Sequence, residues 1–503
     1  MPRARSTLSL IIGCLAAFAC SGVAAAQAPR PHIVFILADD LGYGDLSSFG
    51  ATDIRTTNID RLAHEGIRFT DHYAAANTCS PSRASLLTGR YPPRTRVNAV
   101  LAYDTVEGLP LEEITIAELL RDAGYRTAMV GKWHLGQVEE FMSWHQGFEE
   151  FFGVATSNDN YNFYLYESKG TDYRRRPEAI DQSTLTQQYT ARALQFIELH
   201  ARDAHPFFLY MAHTAVHIPL HPAPAFVRKS ERGTFGDVVL ELDDSVGQVL
   251  AKLQALGIDD NTLVVFSSDN GAWRTMRAHG GSNGVLREGK LTAFEGGHRV
   301  PALARWPGHI PPGIENHQVV TMMDWFPTFA ALAGINVPAD RVIDGKDLNA
   351  VLRGTGERES TPFYYFALRP PHEAQVHRLA GVREGRWKLK LAQTGYYPHC
   401  FEPLIKVGLY HHGDLLFDLA ADPGETTNVI AKHPDIAQHL RRLVDDFSRN
   451  NPMPEPIRVT ALARDATGWE QLWIGIAEAV AVALLFLVLL AWLVMRLVQY
   501  VRK

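Results

Sequence analysis

Short apolar runs alternate with helical patterns along the chain between about residues 30 and 460. The runs typical of buried strands are HIVFILA (32–38), RTAMVG (126–131), PFFLYMA (206–212) and NTLVVFSSD (261–269). Helical periodicity separates them, at 59–65, 115–124 and 238–256. Buried strands that alternate with helices are typical of a parallel sheet with helices on both faces. The pattern therefore predicts an α/β fold with a large, mainly parallel sheet, whose functional groups lie at the carboxyl ends of the strands.

The pattern changes after about residue 350. Apolar runs joined by short polar turns follow at 361–368, 378–384, 386–392 and 414–420, and a helical pattern covers 436–447. This spacing predicts a smaller antiparallel sheet with a closing helix, packed on the first domain. We therefore expect a larger domain over residues 27–350 and a smaller α+β subdomain over 351–450.

Both ends of the chain carry apolar segments. Residues 1–26 combine basic residues, an apolar run and small residues up to Ala26, which is the layout of a cleavable secretory signal. Residues 472–495 are apolar apart from Glu478 and, at about 1.5 Å per residue, are long enough to span a bilayer. The alternatives are an uncleaved membrane helix at the first end and a buried or oligomerisation helix at the second.

Basic residues indicate the orientation of the second segment. The tail 496–503 contains Arg496, Arg502 and Lys503 without an acidic residue, so we expect it in the cytoplasm. A linker, 451–471, joins the transmembrane helix to the domains, which then lie in the periplasm or outside the cell.

The composition excludes several classes of protein. The 503 residues carry 49 basic and 55 acidic side chains, a net charge of −6, with a pI near 6.4. Because no basic stripe could follow phosphates, we expect no nucleic-acid partner. Four cysteines are too few for a disulfide scaffold, and Cys14 and Cys20 lie inside the predicted signal.

Hard oxygen ligands lie at the ends of two predicted strands. Asp39 and Asp40 follow the run at 32–38, and Asp269 and Asn270 stand at the end of the run at 261–269. Adjacent carboxylates repel one another unless a cation neutralises them, and all-oxygen ligands favour Ca²⁺ or Mg²⁺ over Zn²⁺. A pair of acids after one strand is also typical of a turn with a helix cap. Two such strand ends together predict a metal site.

Cys79 begins the segment CSPSRASLLTGR (79–90), in which a proline turn leads into a helical pattern and Arg83 lies four residues further on. The thiol is thereby placed near a helix N-terminus, where developing negative charge is stabilised. Cys79 is a candidate nucleophile, and a small buried residue at a turn is the alternative.

Cations and imidazoles lie near further strand ends. Lys132 and His134 follow the run at 126–131, His217 follows the run at 206–212, and Lys290 lies in a glycine-rich passage. Each is compatible with a structural role. Beside acidic metal ligands, they predict a site that binds an anion and performs acid–base chemistry.

These motifs together resemble the sulfatases of the alkaline phosphatase superfamily, and in particular the arylsulfatase A and N-acetylgalactosamine-6-sulfatase group. CSPSRASLLTGR resembles the sulfatase signature, and the similarity continues in order through ILADDLGYGD, GKWHLG, HQGFEEFFG, FSSDNG, EGKLTAFEGGHRVP, DWFPTFAALAG and LLFDLAADPGETTN. It covers about residues 31–450. The resemblance implies a sulfuric ester hydrolase with an alkaline phosphatase-like sheet, whose catalytic domain is the predicted domain at 27–350.

The resemblance also implies a modified nucleophile and a metal. A sulfatase-maturating enzyme would convert Cys79 to formylglycine (3-oxoalanine). One hydroxyl of the hydrated aldehyde would attack sulfur, and the second would expel sulfate. One Ca²⁺, or less favourably Mg²⁺, would be bound by Asp39, Asp40, Asp269, Asn270 and the modified Cys79.

The remaining candidates receive roles from the same resemblance. Arg83 and Lys132 would hold the modified side chain and neutralise charge, and His134 would be the base. His217 and Lys290 would bind sulfate oxygens, as would Lys132, and protonate the departing alcohol. Ser157, in HQGFEEFFGVATSND, stands at the position of a sulfate-binding serine.

Three functions stay open at this point. The first is a membrane-anchored hydrolase of aryl or carbohydrate sulfates, the second is a phosphonate or phosphate ester hydrolase, and the third is a silent protein that binds sulfated glycans. The segments 156–176 and 396–412 have no counterpart in the resemblance and are candidates for the pocket border. Cys400 has no predicted partner, so we expect no intrachain disulfide. The substrate, exo or endo action and the oligomeric state are left undetermined.

Overall fold

The computed structural model describes residues 30–160, 163–176, 179–368, 377–392 and 413–451. The predicted signal, the apolar segment at 472–495, its linker and tail, and Cys400 lie outside these residues. Within them, no helix has both the length and the apolar character needed to cross a membrane.

Sixteen strands are described. They are β1 (His32–Ala38), β2 (Ile67–Phe69), β3 (His72–Tyr73), β4 (Arg126–Lys132), β5 (Glu150–Val154), β6 (Leu165–Lys169), β7 (Asp172–Arg175), β8 (Phe207–Ala212), β9 (Thr262–Ser268), β10 (Ala302–Arg305), β11 (Ile314–Asn316), β12 (Val320–Thr321), β13 (Phe363–Leu368), β14 (His377–Glu384), β15 (Trp387–Lys390) and β16 (Leu415–Asp418).

The α-helices of the described residues are α1 (Thr57–His64), α2 (Cys79–Thr88), α3 (Pro92–Thr95), α4 (Ile116–Asp122), α5 (Leu185–His200), α6 (Gly233–Leu256), α7 (Glu295–His298), α8 (Trp325–Leu332), α9 (Asn349–Leu352) and α10 (Pro434–Asn450). The predicted helix at 238–256 begins five residues earlier than expected, at Gly233, and α5 was not among the predicted elements.

Ten strands form one mixed sheet, in the order β11–β2–β10–β9–β1–β8–β4–β5–β6–β7. In the centre, β9, β1, β8, β4 and β5 are parallel. The expectation of a mainly parallel sheet holds for this centre and is wrong for the flanks, where β10 and β6 pair antiparallel to their neighbours. For β6 and β7 the reason is connection length: only two residues join them, whereas a parallel pair needs a crossover of about a dozen. The longer connection from β9 to β10 sets no such limit, so the direction of β10 does not follow from its length.

The apolar run of β1 shows why helices cover both faces of this sheet. Ile33, Phe35 and Leu37 face a core that includes α2, α4 and α8, whereas Val34 and Ile36 face a second core that includes α1, α5 and α6. All five side chains are buried. A strand covered on both faces has no polar alternation, which explains its continuous apolar sequence.

The predicted smaller sheet is present and wholly antiparallel, in the order β13–β14–β15–β16. Val382, Leu389 and Leu416 pack against Leu440 and Val444 of α10. The sheet and its closing helix therefore share a small core. The domain boundary at residue 350 stays a prediction.

A buried ionic contact joins β15 of the small sheet to α7, which follows the large sheet's strand β9 in the chain. Lys388 Nζ of β15 lies 2.9 Å from Glu295 Oε1 of α7 and 2.8 Å from Glu425 Oε1. All three side chains are fully buried. Because both carboxylates contact the same ammonium group, the contact ties the small sheet to α7 and to the segment that follows β16.

Candidate active site

Two neighbouring parallel strands end at the centre of the site. Asp39 and Asp40 follow β1, and Asp269 and Asn270 follow β9. The register pairs Ala38 with Ser268, which brings both pairs of polar residues to the same edge. All four side chains are buried, and Asp40 N donates a hydrogen bond to Asp269 Oδ1 at 3.2 Å.

Cys79 is the first residue of α2, whose ten residues are all buried. Its Sγ lies 3.4 Å from Asp39 Oδ1 and 3.6 Å from Lys290 Nζ. Burial, and after it the Asp39 carboxylate, raise the pKa of the Cys79 thiol well above its ordinary value. An unmodified thiol at this position therefore stays protonated near neutral pH and is a weak nucleophile.

Three buried cations surround the carboxylates. Lys132 Nζ lies 2.5 Å from Asp39 Oδ2, and Lys290 Nζ lies 2.8 Å from Asp40 Oδ2. Arg83, one helical turn after Cys79, contacts Asp269 Oδ2 at 2.9 Å and Asp39 Oδ2 at 3.4 Å. Its Nη1 also donates to the Lys132 carbonyl oxygen at 2.7 Å, so Arg83 connects α2 to the end of β4.

The two acids that share Arg83 have opposite pKa shifts. Burial would raise the pKa of Asp39, but Lys132 and then Arg83 outweigh it and hold that pKa well below its usual range. Burial, with the Asp39 charge added, raises the pKa of Asp269 to about 6. Neighbouring carboxylates resist ionising together, so the site favours additional positive charge.

The donor set fits a hard divalent cation. Ligand atoms of Asp39, Asp40, Cys79 and His217 lie within 4.8 Å of one another. Asn270 Oδ1 is buried without a hydrogen-bond partner, while its Nδ2 donates to Asp40 Oδ1 at 2.7 Å. A buried carbonyl oxygen without a donor, next to carboxylates, is suited to Ca²⁺ or Mg²⁺. His217 joins this cluster although it was not predicted as a ligand, whereas Asp269 faces Arg83.

The hydrogen bonds of His134 determine its tautomer. Its Nε2 lies 3.0 Å from the Leu101 carbonyl oxygen, which can only accept, so Nε2 carries the proton. Nδ1 is then unprotonated, and it is buried without a hydrogen-bond partner. Burial, followed by Lys132 and Arg83, lowers the pKa of His134 well below its ordinary value. His134 therefore has a neutral ring with an unprotonated Nδ1.

His217 and Ser157 also reach this region. His217 Nδ1 donates to the Ile218 carbonyl oxygen at 2.6 Å, and Nε2 lies 3.5 Å from Asp40 Oδ2. Ser157 Oγ accepts a hydrogen bond from Lys132 Nζ at 3.1 Å. The structure thus brings the predicted site residues into one connected set of contacts, apart from His134, which interacts with Lys132 and Arg83 only electrostatically.

Two side chains at this site were not named as candidates in the sequence, although Asp159 lies in the segment 156–176 that was expected at the pocket border. Lys290 Nζ lies 4.5 Å from the centre of the Trp273 ring, and the His217 ring lies 5.7 Å from it. Asp159 forms a side-chain hydrogen bond with Ser157. Trp273 follows Asn270 by three residues and Asp159 follows Ser157 by two, so nearness to a candidate residue was the signal that could have found them.

The comparisons with known proteins agree with this geometry. Residues 31–335 match the sequence model of the family described as Sulfatase. The chain belongs to the sulfatase family. Residues 289–450 also match the model described as N-sulphoglucosamine sulphohydrolase, C-terminal. The resemblance seen in the sequence is confirmed, and the protein is a sulfuric ester hydrolase.

Two curated relatives and two solved structures illustrate the similarity. The chain is 38% identical to arylsulfatase A from Homo sapiens over 83% of its length and 88% of the relative. It is 44% identical to N-acetylgalactosamine-6-sulfatase from Mus musculus, over 69% and 70% of the two chains. The crystal structure of Ps i-CgsB shares 28% identity, covers 89% of this chain and 98% of that one, and has a TM-score of 0.73. The PsFucS1 sulfatase from Pseudoalteromonas sp. shares 25% identity, covers 85% and 92%, and has a TM-score of 0.75.

Proposed function

We propose that this sulfatase hydrolyses aryl or carbohydrate sulfates to the alcohol and sulfate, with residue 79 as the nucleophile after conversion to formylglycine. The observation that carries the proposal is the position of Cys79 at the start of a buried helix, between the Asp39 carboxylate and the Lys290 ammonium group. Buried cations that are already held in place stabilise an anionic sulfuryl group without reorganisation.

Formylglycine and calcium are the finer parts of the proposal. Once converted, position 79 would supply a hydrated aldehyde, which can do what a protonated thiol cannot. Asp39, Asp40, Asp269, Asn270 and the modified residue would hold Ca²⁺, which supplies positive charge to polarise sulfate oxygens. The buried Asn270 Oδ1 without a partner and the raised pKa of Asp269 support a cation at this position.

The other side chains of the site would position charge and move protons. Arg83 and Lys132 form ion pairs with Asp39, next to residue 79. His134 Nδ1 is the unprotonated nitrogen that would accept a proton from the remaining hydroxyl of residue 79 as sulfate is expelled. His217 and Lys290 lie between Asp40 and Trp273, where they would bind sulfate oxygens and give a proton to the departing alcohol.

The proposal is tested by making the full chain with and without a sulfatase-maturating enzyme. We expect the peptide containing residue 79 to show the mass of an aldehyde in place of the thiol, and only that preparation to release sulfate from p-nitrophenyl sulfate. Cys79→Ala and Cys79→Ser should lose at least about 1,000-fold in kcat, because the nucleophile is absent or lacks the second hydroxyl. Modified protein that releases no sulfate from a panel of aryl and sugar sulfates would contradict the proposal. Faster turnover of the matched aryl phosphate or phosphonate would favour the second function instead.

We also propose export and membrane anchoring, with cleavage after Ala26, a transmembrane helix at 472–495 and the tail 496–503 in the cytoplasm. The support is the apolar and charged pattern of the two ends. Protease added to the outer side of the cytoplasmic membrane should digest residues 30–451. A stop codon after residue 451 should move the sulfatase activity from the membrane fraction to the soluble fraction. A truncated protein that stays in that fraction would exclude the C-terminal segment as the anchor.

A further inference from the structure

Trp273 forms part of the outer wall of the site. It is half-buried, and it follows the metal-ligand candidates at the end of β9 by three residues. Its ring contacts Lys290 and His217, the two groups proposed to meet the departing alcohol. An aromatic face next to these groups offers an apolar surface to the alcohol part of a substrate rather than to the sulfate.

Asp159 brings a negative charge to the same region. Its side chain is exposed and hydrogen-bonded to Ser157, which accepts a hydrogen bond from Lys132. The carboxylate also interacts electrostatically with His217 and Lys290, which are the two side chains that contact Trp273. Asp159 and Trp273 therefore both act on His217 and Lys290, Trp273 by ring contact and Asp159 by its charge.

The Asp159 carboxylate weakens the binding of an anionic substrate unless it also binds a group on the alcohol part of that substrate. Like charges repel, so Asp159 weakens binding of any sulfate ester that makes no other use of it. An ionised carboxylate only accepts hydrogen bonds, and its natural partners on a neutral alcohol are hydroxyl groups. A sugar ring offers such hydroxyls together with an apolar face, whereas an unsubstituted aryl ring offers only the face.

We propose that Trp273 and Asp159 form the subsite for the alcohol part of the substrate and select a saccharide sulfate with free hydroxyls over a plain aryl sulfate. Trp273 packs against the ring, and Asp159 accepts hydrogen bonds from hydroxyls next to the sulfated position. This inference rests on the proposed function. A site with a hydrogen-bond acceptor discriminates against ligands that lack the donor, because such a ligand displaces water from Asp159 without replacing its hydrogen bonds.

The decisive variant is Asp159→Asn, assayed on p-nitrophenyl sulfate and on the best substrate of a panel of monosaccharide monosulfates. For the saccharide, kcat/KM should fall about 10–100-fold, the usual worth of a hydrogen bond to a charged group. For p-nitrophenyl sulfate, kcat/KM should rise, because the variant removes a repelling charge. The control Asp445→Asn makes the same charge change on the exposed face of α10 and should alter neither value.

Substitutions of Trp273 test the packing surface. Trp273→Ala should raise KM for the saccharide at least tenfold, and Trp273→Phe should restore part of the loss because it keeps a ring. The subsite is overturned if Asp159→Asn changes both substrates in the same direction or neither, or if Trp273→Ala leaves the saccharide KM unchanged. Wild-type protein that hydrolyses neither ester would instead contradict the proposed function, so the two failures are distinguishable.

Discussion

His32, at the start of β1, illustrates how burial and one hydrogen bond control a side chain's protonation. Its Nδ1 accepts a hydrogen bond from Phe207 N at 3.1 Å, and its ring stacks on Phe207 at 4.1 Å. Burial lowers the pKa of His32 to about 4. The accepting nitrogen cannot carry a proton without losing this bond, so the neutral ring is the folded form.

Acid should therefore destabilise the protein through His32. The unfolded chain takes up this proton near pH 6.5, whereas the folded chain takes it up only near pH 4. The neutral ring contributes up to about 3 kcal/mol to the free energy of unfolding. This contribution is fully present above pH 6.5 and is lost as the pH falls to about 4. When the free energy of unfolding in urea is measured at pH 7, 5.5 and 4.5, it should fall less steeply with pH in His32→Asn than in the wild type. His205→Asn, in an exposed loop, is the control, and an equal slope in His32→Asn and wild type would refute the expectation.

Removal of the metal provides a second test at the residue scale. If Asp39, Asp40 and Asn270 bind Ca²⁺, the ion stabilises only the folded chain, by about 2.7 kcal/mol at 100 times its Kd. Adding Ca²⁺ to chelator-treated protein should raise Tm, and Asp40→Asn should remove most of this rise. Asp445→Asn should keep it. An equal rise in the Asp40→Asn protein would place the ion elsewhere.

At the scale of elements, the close approach of β4 and β5 holds Lys132 in place. A Cβ atom on Gly153 of β5 would lie 1.8 Å from the Gly131 carbonyl oxygen of β4. Gly131 directly precedes Lys132, which contacts Asp39. Gly153 thus permits the close pairing of β4 and β5 that positions Lys132 in the site.

Gly153→Ala should consequently damage both stability and activity. The added methyl group cannot fit without moving backbone, and such overpacking costs about 1–3 kcal/mol or more. We expect a lower Tm and a lower kcat, measured by thermal unfolding and by sulfate release. Gly413→Ala, where a Cβ atom would meet nothing within 4 Å, should change neither. A Gly153→Ala protein with wild-type Tm would show that β4 and β5 can separate freely.

At the scale of the whole molecule, Lys388 connects the small sheet to the segment that follows Lys290. Its ammonium group lies between Glu295 and Glu425, and all three side chains are fully buried. Burial outweighs the effect of Lys388 and raises the pKa of Glu425 to about 7. Lys388 is thus the cation shared by the two acids, and Glu295 also has longer contacts with Arg299 and Arg383.

Lys388→Met should destabilise the whole fold. It removes the ammonium group that pairs with Glu425 and the nearest cation of Glu295, whose contacts with Arg299 and Arg383 are longer. Breaking a buried ion pair costs about 3–5 kcal/mol in comparable sites. Lys252→Met removes a surface ion pair with Glu198 and should cost at most about 1 kcal/mol. Urea unfolding of the two variants makes the comparison, and similar losses in both would show that the buried contact is not structurally important.

Much of the site was predictable because its residues stand beside strong local patterns. The run HIVFILA predicted β1 over the residues where it lies, and Asp39 and Asp40 follow it directly. Cys79 was expected at a helix N-terminus and is the first residue of α2. Apolar periodicity depends on neighbours two to four residues apart, so the sequence carries it without knowledge of the fold.

The sequence by itself determined the family, the central strands and the identity of the candidate site residues. Only the tertiary structure decided the antiparallel flanks of the large sheet, the bridging position of Arg83, the placement of Trp273 and Asp159, and the contact of Lys388 with Glu295 and Glu425. Lys388 and Glu295, for example, are 93 residues apart in the chain. Such contacts arise where separate elements meet, and no local periodicity records which elements those are.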